Sequence, residues 1–366
     1  MAYTTIDDPS AYFQTVLWTG DDETDRAITN TGNSDLQPDL VWIKCRNDTF
    51  DHVIVDSSRG ASTSTTGTQL SSNLDAQEPS NTNGHVKSFN SDGFNVRSGS
   101  SGSNPLVGVN KDAKTYVAWQ WKCNGGTEET TVTESGNNPG NTRQTNTTAG
   151  FSMIKYGGTG AAGTIAHGLG VVPHFIIHKS RSGGTENFPC YHIGTGNTHG
   201  CDLNRTVAKI DNANLFNDTS PTSSVFTVTS DSAINFDGDN IMAWVWTSIQ
   251  GFSKFGSYVG NGDADGPFIY TGFKPAWLMV KNIDTAGENW HIFDNKRATS
   301  NVIKARLIAD GSSAENTNDS IIDFTSNGFK WRMSNAGFNG SSDNYIYMCF
   351  AEHPFVSSKG VPVTAR

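Results

Sequence analysis

A chain of 366 residues is too long for one hydrophobic core and fits two or three domains. Only 35% of it is hydrophobic and 17% charged, and the rest is dominated by Gly, Ser, Thr and Asn, which points away from a helical protein; 20 Phe, 9 Trp and 9 Tyr exclude a disordered one, since rings supply large buried area. The net charge of −10 disfavours sequence-independent binding to nucleic acid or to an anionic membrane, and no apolar run is long enough for a membrane-spanning helix.

The N-terminal residues, Met1 to Pro9, lack a basic region followed by an apolar one, so no signal peptide is expected at this end. Residues 1–15 read as an arm. A strand is predicted at Thr15–Thr19, followed by the acidic turn Gly20-Asp21-Asp22. A Pro-initiated strand at Pro38–Cys45 comes next, then His52–Asp56 and a long Ser/Thr/Gly/Asn stretch over 57–84. Proline lacks an N–H and is tolerated at the first position of a strand. Val86–Val96 carries Asp92-Gly93, a hairpin signal, and Tyr116–Lys122 (Tyr-Val-Ala-Trp-Gln-Trp-Lys) closes the block.

The same order then recurs twice. After 124–149, which has no apolar period and reads as a linker or long loop, come Phe151–Tyr156, Pro173–Lys179, Phe188–Ile193, Ser224–Thr229 and the closing strand Ile241–Thr247. The third block runs through Phe252–Tyr258, Pro275–Lys281, Trp290–Asp294, Ala305–Ala309, Ile321–Arg332 and Tyr345–Glu352. The second and third copies are offset by about a hundred residues, the size of one sandwich domain. The reading is all-β: three tandem antiparallel β-sandwiches over 16–123, 150–250 and 251–355, the linker 124–149, and a tail over 356–366. They are expected to stand in series, each with its own core and no appreciable helix.

Five cysteines, Cys45, Cys123, Cys190, Cys201 and Cys349, are scattered and never in CxxC; they read as small buried apolar residues, with Cys190 and Cys201 the one pair that could bridge.

Gly168 to Arg181, Thr219 to Thr227 and Phe252 to Trp277 resemble tandem modules in virion proteins of tailed bacteriophages, marine and cyanobacterial ones especially. The first block, through Pro38 to Lys44, Ser91 to Phe94 and Tyr116 to Lys122, is similar to a companion module of such proteins. The resemblance covers most of residues 15–355. It implies lectin-like (jelly-roll) sandwiches and a virion component assembled in the bacterial cytoplasm, with no catalytic residues to carry over. A tail fibre or host-adhesion part is the first expectation, a capsid decoration protein the alternative, and a glycan-degrading tailspike the third. Expected partners are other virion proteins and a host surface glycan or protein. Self-association is expected too, as a trimer if the chain is a fibre. No cofactor, nucleic acid or membrane partner is expected.

Candidate chemistry is sparse. His174, His178 and His192 are zinc-ligand types, but four residues along a strand is roughly 13 Å, too far for one ion. Asn261, Asp263 and Asp265 have the alternation of a calcium loop, yet position twelve is Gly272 and not Glu, so an acidic turn is the simpler reading. Trp290 and Trp331 are the candidates for stacking a sugar ring if they are exposed; core positions are the competing reading. The loops over 57–84 and 178–202 are expected to contact a partner, and residues 1–15 to dock to the particle. No nucleophile elbow, P-loop, HExxH or dinucleotide fingerprint is present, and no enzyme activity is expected.

Overall fold

The computed structural model describes residues 2–61, 67–78, 80–81, 83–100, 106–132 and 136–363. Its framework is three antiparallel sheets, one per repeat, with the same strand order. In the first, Phe13–Thr19, Thr115–Trp121, Leu40–Cys45 and Val53–Asp56 lie side by side. In the second the order is Phe151–Gly157, Asn240–Trp246, Phe175–Ser180, Pro189–His192 and His199–Asp202. In the third it is Ser253–Val259, Asn344–Pro354, Phe273–Asn282, Trp290–Asp294 and Leu307–Ile308. The closing strand of each repeat therefore sits in the interior of its sheet. The registers match: Leu40 faces Trp121, Phe175 faces Trp246 and Trp277 faces Phe350, while Lys44, Lys179 and Lys281 face Val117, Met242 and Ile346.

A small sheet covers one face of each large one. Asp25–Ile28, Gly93–Arg97 and His85–Asn90 form the first, Gly163–Ala166 and Val225–Val228 the second, and Phe268–Tyr270, Gly328–Trp331 and Ile322–Thr325 the third. Three apolar clusters fill the gaps. Tyr116, Ala118, Ile43 and Phe94 belong to the first, Ile241, Ala243, Ile176 and Phe226 to the second, and Tyr345, Tyr347, Leu278 and Phe329 to the third. Gly93 and Gly328 hold the same place in the first and third: a methyl group on either would collide with the carbonyl of the neighbouring strand, Ile28 or Ile269.

The other face of each large sheet is equally apolar, and all three turn it inward. Val117, Trp119 and Trp121, Met242, Trp244 and Trp246, and Ile346, Met348 and Phe350 join one cluster with Trp42, Phe175 and Trp277. The expectation of cores packed separately in a row is thus corrected. Successive side chains on a strand point to opposite faces, so a strand apolar at every position needs a partner on both sides. Here one partner is the repeat's own small sheet and the other is a shared hub. Rings meet there across repeats: Trp119 and Trp277 lie 6.2 Å apart edge to face, Trp121 and Trp246 6.3 Å.

Other expectations shift as well. Much of the stretch read as a linker is ordered sheet: Glu129–Val132 and Asn141–Asn146 extend the second sheet beyond Phe151–Gly157. Its pattern is invisible to an apolar periodicity because the buried side chains are polar; Gln144 donates to the hydroxyls of Ser57 (2.8 Å) and Ser58 (2.9 Å). Among the described residues three single-turn α-helices occur, Ala213–Phe216, Ser232–Asn235 and Ala336–Asn339, each capped by the preceding Asn212, Asp231 or Asn335, besides a 3-10 turn at Pro9–Ala11. Ala305–Ala309 contracts to the two-residue strand Leu307–Ile308. All five cysteines are buried and free, although Cys190 and Cys201 face each other on neighbouring strands.

Candidate functional site

The seams between repeats use equivalent residues and run the same way round. The ammonium of Lys44 donates to the carbonyls of Cys45, Asp48 and Phe50 in its own repeat and of Ser312 in the third (2.9 Å). Lys179 of the second repeat donates to Asp75 of the first (2.7 Å) and to Glu186 (2.5 Å). The equivalent Lys281 donates to Glu288 within its own repeat, the third. Burial pulls Lys44 and Lys179 down to about 8, so both remain protonated at neutral pH. Backbone bonds repeat the direction: Glu315 to Arg46 (2.7 Å), Glu78 to Arg181 (3.0 Å) and Lys209 to Ile283 (3.0 Å). First repeat on third, third on second and second on first close a ring.

Two of the three seams hold a buried ionic chain. Trp119 donates to Asp294 (3.0 Å), which takes Arg297 (2.6 Å); Arg297 reaches Glu315 (2.9 Å), and Glu315 takes Arg46 from across the seam (2.8 Å). The other set is Trp244, Asp56, Arg59, Glu78 and Arg181, with Trp244 donating to Asp56 at 3.2 Å and Arg181 reaching Glu78 at 2.6 Å. Burial works against the charge on Arg59 and Arg297, but the carboxylates of Asp56 with Glu78, and of Asp294 with Glu315, hold both guanidiniums above their ordinary range. In the third seam Met348 takes the place of the tryptophan and His192 that of the aspartate. There the His192 Nε2–H donates to the Tyr347 carbonyl (3.1 Å) and Nδ1 accepts from the Gly194 amide (2.9 Å).

The candidate residues separate on this frame. Trp290 and Trp331 are 1% and 0% exposed and are corrected to core positions: Trp290 donates across a seam to Asp202 (2.9 Å), and Trp331 stacks on Phe338 at 4.8 Å. His178 lies in the second repeat's own core beside Phe226 and Phe216, His192 lies on the third seam, and the Nδ1 of His174 accepts from Ser248 (2.9 Å). Asn261 and Asp263 use their side-chain oxygens to accept from the backbone two residues on, and Asp265 pairs with Lys330 (2.9 Å). Among the described residues no three His, Cys, Asp or Glu side chains are placed to hold one metal ion. Parts of the 57–84 and 178–202 loops, expected to be free for partners, are spent on the seam through Asp75, Glu78, Lys179 and Arg181. The arm over 1–15, expected to dock elsewhere, is fastened to the third repeat: Tyr3 donates to Gly272 (2.7 Å), and the opening strand begins already at Phe13.

Two concavities adjoin where the arm meets the third repeat, of about 180 and about 230 Å³, sharing Asn295, Lys296 and Glu352. Asp8 lies in the larger group of polar residues there. Burial opposes its charge, but hydrogen bonds from Ser10 and Ser34 win and keep its carboxyl below the ordinary range. Glu352 meets Lys274 at 2.7 Å. An acid catalyst needs a carboxyl held protonated, the opposite of what the hydrogen bonds to Asp8 do.

Among the described residues, exposed rings lie elsewhere: Phe236 stands alone, and Phe268 and Tyr270, 46% and 48% exposed, share one strand. Strand alternation around Ile269 is the signal that would have found the pair: Phe-Ile-Tyr after a Pro turn puts both rings on the face away from the core.

The family described as Domain of unknown function (DUF7483) matches residues 8–354. No curated protein matches the chain. No solved structure matches it either.

Proposed function

We propose that this chain, which belongs to the DUF7483 family, is a non-enzymatic structural and adhesive component of a tailed-bacteriophage particle, in particular a tail-fibre or host-attachment part. The observation that supports the reading is the hub. Three look-alike repeats turn one apolar face each into a common core and are fastened at two of three seams by buried ionic chains. Such a body holds its outer loops at fixed distances and angles, which is what a spacer or an adhesion head requires. In this reading the repeats are three lectin-like β-sandwich modules. The partners are other virion proteins and a host surface glycan, and the ring within one chain does the work of a trimer of separate subunits.

The test is location and competition. Antibody raised to the purified chain and coupled to gold is expected to label the tail of the particle, at low copy number. Excess purified chain is expected to slow adsorption of the same particles to cells. Label spread over the head at high copy number would make the chain a decoration protein. Absence from the particle, or adsorption unaffected by any excess, would end the adhesion reading. Release of reducing ends from host polysaccharide by the purified chain would replace it with the tailspike.

A further inference from the structure

We propose that the outward face of the strand Phe268–Tyr270, with Tyr3 beside it, is a platform for a neutral glycan. The proposal rests on the adhesion reading above and gives it a place and a ligand class.

The internal repeat supplies the comparison. Ile28, Ile165 and Ile269 occupy one position, each paired with a phenylalanine of its small sheet, Phe94, Phe226 or Phe329. The outward neighbours of that isoleucine are Ala27 and Thr29 in the first repeat, and Thr164 and Ala166 in the second. In the third they are Phe268 and Tyr270. The fold is satisfied by small side chains at two of the three places, so the two rings are not there for its sake. Roughly half exposed, they also carry a solvation cost that a structural role does not explain.

Each ring has a defined neighbour. Phe268 extends over Gly328, where a side chain would meet its Cζ at 2.9 Å. The hydroxyl of Tyr270 lies 3.2 Å from that of Tyr3, which donates to the Gly272 carbonyl. The Lys254 ammonium sits 5.4 Å from the centre of the Tyr270 ring and donates to the Tyr270 carbonyl. Rings at i and i+2 on a strand stand about 6.5 Å apart, which suits successive sugar rings stacked by their C–H faces. Fixing the Tyr270 ring beforehand lowers the ordering cost of binding. Tyr3 also lines an open depression of about 540 Å³ with Gln250, Ser358 and Lys359, which carries hydrogen-bonding groups for hydroxyls. An exposed apolar pair with a polar margin fits a sugar, which has an apolar face and a polar rim. A protein partner would need a broader apolar patch. The chain's net charge of −10 and the pairing of Lys330 with Asp265 favour a neutral glycan over an anionic one.

Affinity electrophoresis of the whole chain tests this, in native gels cast with dextran, mannan, starch, xyloglucan or, as the anionic arm, alginate. Retardation by at least one neutral polymer is expected. Phe268→Ala and Tyr270→Ala should each weaken it at least tenfold with the thermal midpoint unchanged, and Phe236→Ser, at another exposed ring, should not. Equal retardation of the platform variants, retardation by alginate alone, or none by any polymer would overturn the platform. If the wild-type chain still slowed adsorption in that case, the adhesion reading would stand without it. If adsorption were unaffected as well, both would fall.

Discussion

Asp294 shows how much one side chain carries. It accepts from Trp119 of another repeat, from Arg297 and from the amides of Lys296 and Arg297, with nothing exposed. Removing one partner of a buried charge pair costs about 3–5 kcal/mol, because the other is left without compensation. Asp294→Ala is expected to lower the urea unfolding free energy by about that amount. The buried histidines predict acid sensitivity. Burial pulls His52 and His291 down to about 3 and His178 and His192 to about 4. Each is neutral in the fold and titrates near 6.5 when unfolded, so between pH 6.5 and about 4 the unfolded chain binds more protons. Stability is therefore full above pH 6.5 and is lost as pH falls through that window. Asp310, which burial raises to about 6, acts the other way, gaining stability as pH drops from 6 toward the ordinary carboxylate value, and offsets part of the loss. Urea midpoints measured from pH 7 to 4 should decline steeply; a flat profile would mean that these imidazoles are not sealed from water.

At the scale of an element, the strand Phe273–Asn282 is the sharpest case. Trp277 and Met279 face the hub, and Leu278 and Val280 face the repeat's own core. A strand covered on one side only is sensitive at alternate positions. This one should be sensitive at consecutive positions: Trp277→Ala by about 3–5 kcal/mol and Leu278→Ala by about 2–5 kcal/mol. Val259→Ala, at a residue 55% exposed on the outermost strand of the same sheet, should stay within about 0.5 kcal/mol. Parallel urea titrations decide it, and a neutral Trp277→Ala would remove the hub from the account. The same strand shows what could be read beforehand. Its unbroken apolar run announces burial on both faces, but a run of that kind does not say what lies on the second face.

For the whole molecule, a shared hub predicts one cooperative transition. Calorimetry of the full chain should give a single endotherm, where independently stable modules would give several. An excised 150–250 segment would expose Phe151, Met153, Phe175, Ile177, Met242, Trp244 and Trp246 together, a patch that soluble monomers rarely carry. It should aggregate or self-associate on refolding; a soluble, monomeric, folded segment would contradict the hub.

The succession of strands along the chain, its threefold recurrence and the Asp-Gly and Asn-Gly hairpins follow from local rules, because turn chemistry and side-chain alternation act over a few residues. The Pro-initiated starts do not hold, since Pro38 and Pro173 precede strands that open at Leu40 and Phe175, and Pro275 lies inside Phe273–Asn282 where the register shifts. The exposed pair Phe268 and Tyr270 was within reach of the same alternation. Only the tertiary structure decided that the Trp-rich strands face one another across repeats, that Trp290 and Trp331 are core, that the polar stretch after Cys123 joins a sheet, and that Lys44 and Lys179 are sealed in seams. Each depends on which distant surface arrives to cover a side chain, and burial of that kind is a property of pairs of segments far apart in the chain, which no local pattern encodes.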